Sequence, residues 1–174
     1  MVISPMRRTM ETCYYMFNQH PNWKDMKFII HPLLREKIGI SGDVPLPNDR
    51  FKYELEHLYQ PMFEGRLDLT YMENLLKGDS AWYMDSLNED TTSSLQEFAS
   101  ANGIDESSAI FETIKETFPA KFESVLNIKQ RCDDFRLDLE DLVDNTSGVN
   151  VVAKSGKIGV IGHSVYYRVY NAKP

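Results

Sequence analysis

Three short apolar runs stand out against a polar-rich background: Met1-Val2-Ile3-Ser4, Lys27-Phe28-Ile29-Ile30-His31 and Lys157-Ile158-Gly159-Val160-Ile161-Gly162-His163. Each is short and rich in β-branched residues. Each ends at a turn or helix-start signal, as a buried strand does. Strands are therefore expected near residues 2–4, 27–31 and 157–162. Almost continuous apolar runs suit a parallel sheet covered on both faces.

Helical patterns separate the runs. Ser4-Pro5 reads as an N-cap and first helical position. Met6, Met10, Cys13, Tyr14 and Phe17 follow at helical spacing, and the signal fades at His20-Pro21. A second helix is expected from about Asp105, with Ile110, Phe111, Ile114 and Phe118 on one face. A long helix is expected over 120–143, striped by Phe122, Val125, Cys132, Phe135, Leu139 and Leu142. Residues 164–170 read as the start of another. Residues 39–58, with Pro45 and Pro47, read as a connection, and 59–104 as short helices and loops. The six acids and single arginine of 133–144 read as the solvated face of the long helix. The alternation of strands and helices predicts an α/β fold, a three-layer, mostly parallel sheet flanked by helices. At 174 residues it is expected to be a single domain, with a variable helical and loop insertion at about 40–120.

Composition narrows the function classes. The net charge of −7 argues against nucleic acid as the main partner. It leaves room for a small anionic ligand in a local basic pocket. No apolar run reaches the roughly 18 residues of a membrane span. Residues 1–12 lack the basic start and long apolar stretch of a secretory signal. Cys13 and Cys132 make no disulfide framework, which points to a reducing, cytoplasmic setting.

Polar groups follow the C-terminal end of every expected strand. Ser4-Pro5-Met6-Arg7-Arg8-Thr9 follows the first, His31-Pro32-Leu33-Leu34-Arg35-Glu36 the second, and Gly162-His163-Ser164 closes the third. In open α/β sheets ligands bind outside the carboxyl ends of the strands. An arginine on the first turn of a helix adds a planar fork suited to phosphate. His163, beside a glycine that lets a ligand come close, has an imidazole fit for donor, nucleophile or base duty. Glu36 is placed to pass a proton to a leaving oxygen. Each motif also has an ordinary reading: surface arginines at a helix start, a backbone-satisfied histidine at a corner, a surface glutamate. His31 reads as structural, and His20 and His57 as loop or surface residues. The sequence has no His/Cys cluster at metal spacing, no phosphate-binding glycine-rich loop ending in Lys-Ser/Thr and no Gly-x-Ser-x-Gly elbow.

Taken together, the motifs resemble the histidine phosphatase superfamily, the phosphoglycerate mutase-like proteins. The family pattern Ser-Pro-Leu-x-Arg-x-x-x-Thr is similar to residues 4–12. The Leu-x-Glu motif is similar to Leu34-Arg35-Glu36, and the late Gly-His motif to Gly162-His163-Ser164. Glu123-Ser124 and Arg131 resemble the helix that precedes it. The resemblance covers the two ends of the chain and little of 40–120. It implies metal- and cofactor-free phosphomonoester hydrolysis or phosphoryl transfer through a phosphohistidine, on a small phosphorylated metabolite. Arg8 would bind phosphate oxygens, with Arg7 and Ser164 as additional contacts. His163 and Glu36 would be catalytic, the first hydrogen-bonding the transferring group and the second donating a proton.

The family's nucleophile stands in an Arg-His-Gly motif, and none occurs in these 174 residues. The resemblance thus implies a member truncated at its N-terminus, without the central strand, and with its last strand and helix cut short. Inactivity of the chain by itself follows, as does low solubility, with the first and third strands deprived of a shared neighbour. A non-catalytic pseudophosphatase that binds a phosphorylated ligand or a protein partner is the alternative. An unrelated helical interaction protein with accidental motifs is a third reading.

Overall fold

In a computed structural model, which describes residues 1–78, 81–84, 87, 89–116, 123–146 and 158–171, all three apolar runs form strands. They are β1 (Val2–Ile3), β2 (Phe28–Ile30) and, for the last run, Val160–Ile161. Lys157, Phe118 and Phe122 lie outside the described residues, as do the side chains of Phe111 and Ile114. A further strand, β3 (Leu67–Asp68), falls where only helices and loops were expected. The Val160–Ile161 strand is accordingly β4. Two residues, one of them acidic, carry no apolar run, so β3 left no periodic signal.

The sheet order is β3-β2-β1-β4, and every pairing is parallel. Val2 sits opposite both Ile29 and Val160, and Ile3 opposite Ile30 and Ile161. Val2 N–H donates to Gly159 O at 2.8 Å and Ser4 N–H to Ile161 O at 2.9 Å. β1 and β4 are therefore direct neighbours. This corrects the expectation that these strands lack a shared neighbour: none is needed between them. The outward edge of β4 is partly capped from within the chain, where the Tyr167 hydroxyl donates to Val160 O at 2.8 Å.

Strands this short are held by burial on both faces more than by their ladders. Ile3, Phe28 and Ile30 pack with Met10 and Cys13 of α1 (Arg7–Phe17) and with Trp23 and Phe63. On the opposite face Val2 packs with Leu34, with Ile128, Cys132 and Phe135 of the long C-terminal helix (Val125–Thr146), and with Tyr166 of the last helix (Ser164–Tyr170). Each fully buried isoleucine or phenylalanine contributes about 1.5–3 kcal/mol. Helices thus flank the parallel sheet on both sides. Among the described residues no helix is long and apolar enough to cross a membrane.

Several element boundaries differ from expectation. α1 begins at Arg7, with extended Met6 as its cap, and not at Ser4-Pro5. The Ser4 amide stays in the β ladder and its hydroxyl meets His163 and the Met6 amide, so it does not cap the first turn of α1. Residues 39–58 are not merely a connection. Pro47, extended, caps α2 (Asn48–Glu54), which runs through a π turn over Leu55–Tyr59 into α3 (Gln60–Met62). Phe51, Leu55 and Tyr59 bury the inner face of this segment. Between α4 (Glu73–Lys77) and α6 (Glu106–Glu116) lies α5 (Glu89–Asn102), which packs on α6 and buries Leu95 and Ala99. The long helix, α7, starts at Val125, because Ser124 and Asn127 cap each other: the Asn127 amide donates to Ser124 Oγ at 3.2 Å and the Ser124 amide to Asn127 Oδ1 at 3.3 Å. The final helix is α8.

Candidate functional site

Arg8, Glu36 and His163 follow β1, β2 and β4, three adjacent parallel strands, at their C-terminal ends. His163 ends the β4 run in extended conformation and caps α8. The residue is 7% exposed. Ser4 Oγ lies 3.1 Å from Nε2, and Glu36 Oε2 lies 3.6 Å from Nδ1. Ser4 Oγ also accepts from the Met6 amide at 3.4 Å, which leaves it one lone pair and one proton for its contact with Nε2. A carboxylate at Glu36, an acceptor facing Nδ1, favours the tautomer of the neutral ring that carries its proton there.

Burial, with the positive charges of Arg8 and Arg131 adding to it, pulls the His163 imidazole down to about 4. The ring is therefore neutral at physiological pH. Burial pushes the Glu36 carboxyl above its ordinary value; the Lys37 amide opposes the shift, donating to Oε1 at 2.9 Å. Asp43 pushes the same carboxyl further up, while Arg8 and Arg131 act against it. Arg8 thus stands close enough for its charge to bear on both His163 and Glu36. Its guanidinium itself donates to Gly42 O at 2.9 Å and to Asp43 Oδ1 at 3.3 Å.

Ser4, His163 and Glu36 in a line have the connectivity of a nucleophile, base and orienting acid. Ser4 is 0% exposed, so no substrate reaches its oxygen in this arrangement. Its hydroxyl engages Nε2 of His163 instead.

Arg7 is not brought to this cluster. It forms a two-pronged pair with Glu54 of α2, one oxygen at 3.3 Å from Nε and the other bonded to Nη2. Ser164, the first residue of α8, is exposed beside His163.

Beneath Glu36 lies a buried charge cluster. Arg35 donates to both oxygens of Glu123, at 2.9 and 3.1 Å. Arg131 Nε donates to Glu123 Oε1 at 2.8 Å, and its Nη1 to the carbonyls of Leu33 and Arg35 at 2.8 and 2.9 Å. The Ile38 amide donates to Glu123 Oε2 at 3.1 Å. Burial would push the Glu123 carboxyl up; Arg35 and Arg131 outweigh it and hold the group below its ordinary value. One carboxylate on two cations satisfies the condition under which buried charges are tolerated. The cluster pins segment 33–38, and so Glu36, to α7. Sequence reasoning missed Ser4 as the partner of His163, and Arg35 and Asp43 altogether. Only the adjacency of Arg35 to Glu36 hinted at the second of these.

His31 is structural, as expected. It is 1% exposed, its ring stacks 4.3 Å from Tyr71 and 4.9 Å from Phe135, and Nε2 lies 3.1 Å from Asp138 Oδ2. His57, exposed, stacks on Tyr53, and His20, also exposed, accepts from the Asn22 amide.

Comparison of the chain with protein-family models, with curated proteins and with solved structures finds no match.

Proposed function

We propose that this chain binds a small phosphorylated metabolite and carries part of a site for phosphomonoester hydrolysis or phosphoryl transfer, in the manner of the histidine phosphatases. Arg8 holds the phosphoryl oxygens, His163 hydrogen-bonds the transferring group, and Glu36 protonates the leaving oxygen. The observation that carries this reading is the placement of Arg8, Glu36 and His163 after the C-terminal ends of the adjacent strands β1, β2 and β4, with His163 Nδ1 3.6 Å from Glu36 Oε2. Two electrostatic facts support it. A neutral imidazole is a hydrogen-bond donor at pH 7, and a carboxyl raised by burial is a better proton donor than an exposed one.

Covalent transfer requires a histidine in line with the phosphorus, about 3–3.5 Å away. The chain's four histidines offer none. His163 spends Nε2 on Ser4, His31 is enclosed, and His20 and His57 sit in exposed side-chain contacts of their own. The engagement of His163 by Ser4 favours a second reading, a non-catalytic pseudophosphatase that binds the phosphorylated ligand or a protein partner through the same residues.

The test is an aryl phosphate assay and an inorganic phosphate titration on the metal-free chain, with Arg8→Ala and His163→Ala alongside. The proposal expects phosphate binding that both substitutions weaken, and turnover near background. Binding unaffected by either substitution sinks the site. Robust turnover that both abolish shows that the chain's own residues suffice for chemistry.

A further inference from the structure

The Arg8 guanidinium faces a carboxylate of its own chain. Nη2 lies 3.3 Å from Asp43 Oδ1, while Nη1 donates to Gly42 O at 2.9 Å. The other oxygen of Asp43 holds its loop in shape, accepting from the amides of Gly39 at 3.3 Å and Ile40 at 3.1 Å. The loop follows segment 33–38, which the Glu123 cluster clamps. Asp43 therefore stands on a short tether beside Glu36, whose carboxyl it pushes up.

We infer that Asp43 is a built-in competitor for Arg8: its carboxylate occupies the anion position, and a phosphate ligand must displace it. The inference rests on the reading of Arg8 as the phosphate-binding residue. Asp43 meets Arg8 through one oxygen at Nη2, and a phosphate oxygen bound there takes the same place, so both cannot hold that nitrogen at once. Asp43 also adds a negative charge beside Arg8, which repels a dianion. Together these effects make the site weak for phosphate until Asp43 moves. They select for ligands that bind Arg8 better than a carboxylate does. The Arg8–Asp43 pair is open to solvent, with the two side chains 45% and 19% exposed, so the competition is modest and sensitive to salt.

The experiment is a titration of inorganic phosphate into the full chain by calorimetry, at low and at moderate ionic strength. The proteins are wild type, Asp43→Asn, Asp43→Ser and Arg8→Gln, and the double variant Arg8→Gln/Asp43→Asn. Asparagine and serine both keep an oxygen for the Gly39 and Ile40 amides, so either can report if the other unfolds. The expected result is phosphate binding about three- to tenfold tighter in the Asp43 variants, a gain that shrinks with salt and vanishes in the double variant. In the wild type, phosphate is expected to shift the amide resonances of Gly39 and Ile40 as Asp43 lets go. A merely structural Asp43 predicts the opposite sign, a loss of binding. Unchanged or weaker binding in both Asp43 variants, with wild-type binding still dependent on Arg8, overturns this inference and spares the reading of Arg8. Phosphate binding that is absent, or indifferent to Arg8, in wild type and Asp43 variants alike overturns both.

Discussion

Ser4 Oγ lies 3.1 Å from His163 Nε2, joining two residues 159 positions apart in the chain. The bond ties the end of β1 to the end of β4 and settles which nitrogen of His163 faces Glu36. Ser4→Ala removes the partner of a buried imidazole nitrogen and of the Met6 amide together. A loss of about 1–3 kcal/mol is expected in urea unfolding. The nitrogen shifts of His163 should also move as Nε2 loses its partner. Unaltered stability and shifts would mean that the serine is a bystander.

Stability should fall as the pH drops from about 6.5 to about 4. Burial, the main cause, holds both His31 and His163 at about 4, against an ordinary value of 6.5. Between those values the unfolded chain binds more protons than the folded one, so acid favours unfolding. At pH 5 each histidine costs on the order of 2 kcal/mol relative to pH 7.5. Urea midpoints at the two pH values measure the drop, and His163→Gln should remove part of it. An equal drop in that variant counts against a neutral, buried His163.

Glu123→Gln is expected to destabilise the fold by about 3–5 kcal/mol, because it leaves Arg35 and Arg131 buried without their counter-charge. That is a large share of the stability of an ordinary domain, about 5–15 kcal/mol. The same carboxyl is held below its ordinary value of 4.5 in the folded state, so its contribution is present above that pH and lost in stronger acid. Chemical unfolding of the variant at pH 7 checks the first claim, and a change under 1 kcal/mol contradicts it.

Tyr167→Phe should leave Val160 O without its hydroxyl partner at the outward edge of β4. A loss of about 1 kcal/mol is expected. A barer edge should also associate with other chains more readily. Light scattering at rising concentration compares the variant with wild type, and equal scattering argues against a capping role.

The strands β1, β2 and β4 were legible in the chain because each is an apolar run whose signal is local. The parallel sheet followed from their near-continuous hydrophobicity, and helices on both faces from the patterns between them. The placement of Arg8, Glu36 and His163 after strand ends was legible for the same reason. β3 was not, since Leu67 and Asp68 become a strand only by lying beside Phe28 and Ile29. Local propensity also misplaced Ser4: a serine before a proline suits a helix start, but His163, brought alongside by the β1–β4 pairing, claims its hydroxyl. The bonds of Asp43 to Arg8, and of Glu123 to Arg35 and Arg131, span 35, 88 and 8 positions. A charged side chain carries no mark of its partner in the sequence around it. Which charges meet is decided by the packing that brings their backbones together and by the cost of burying any of them alone.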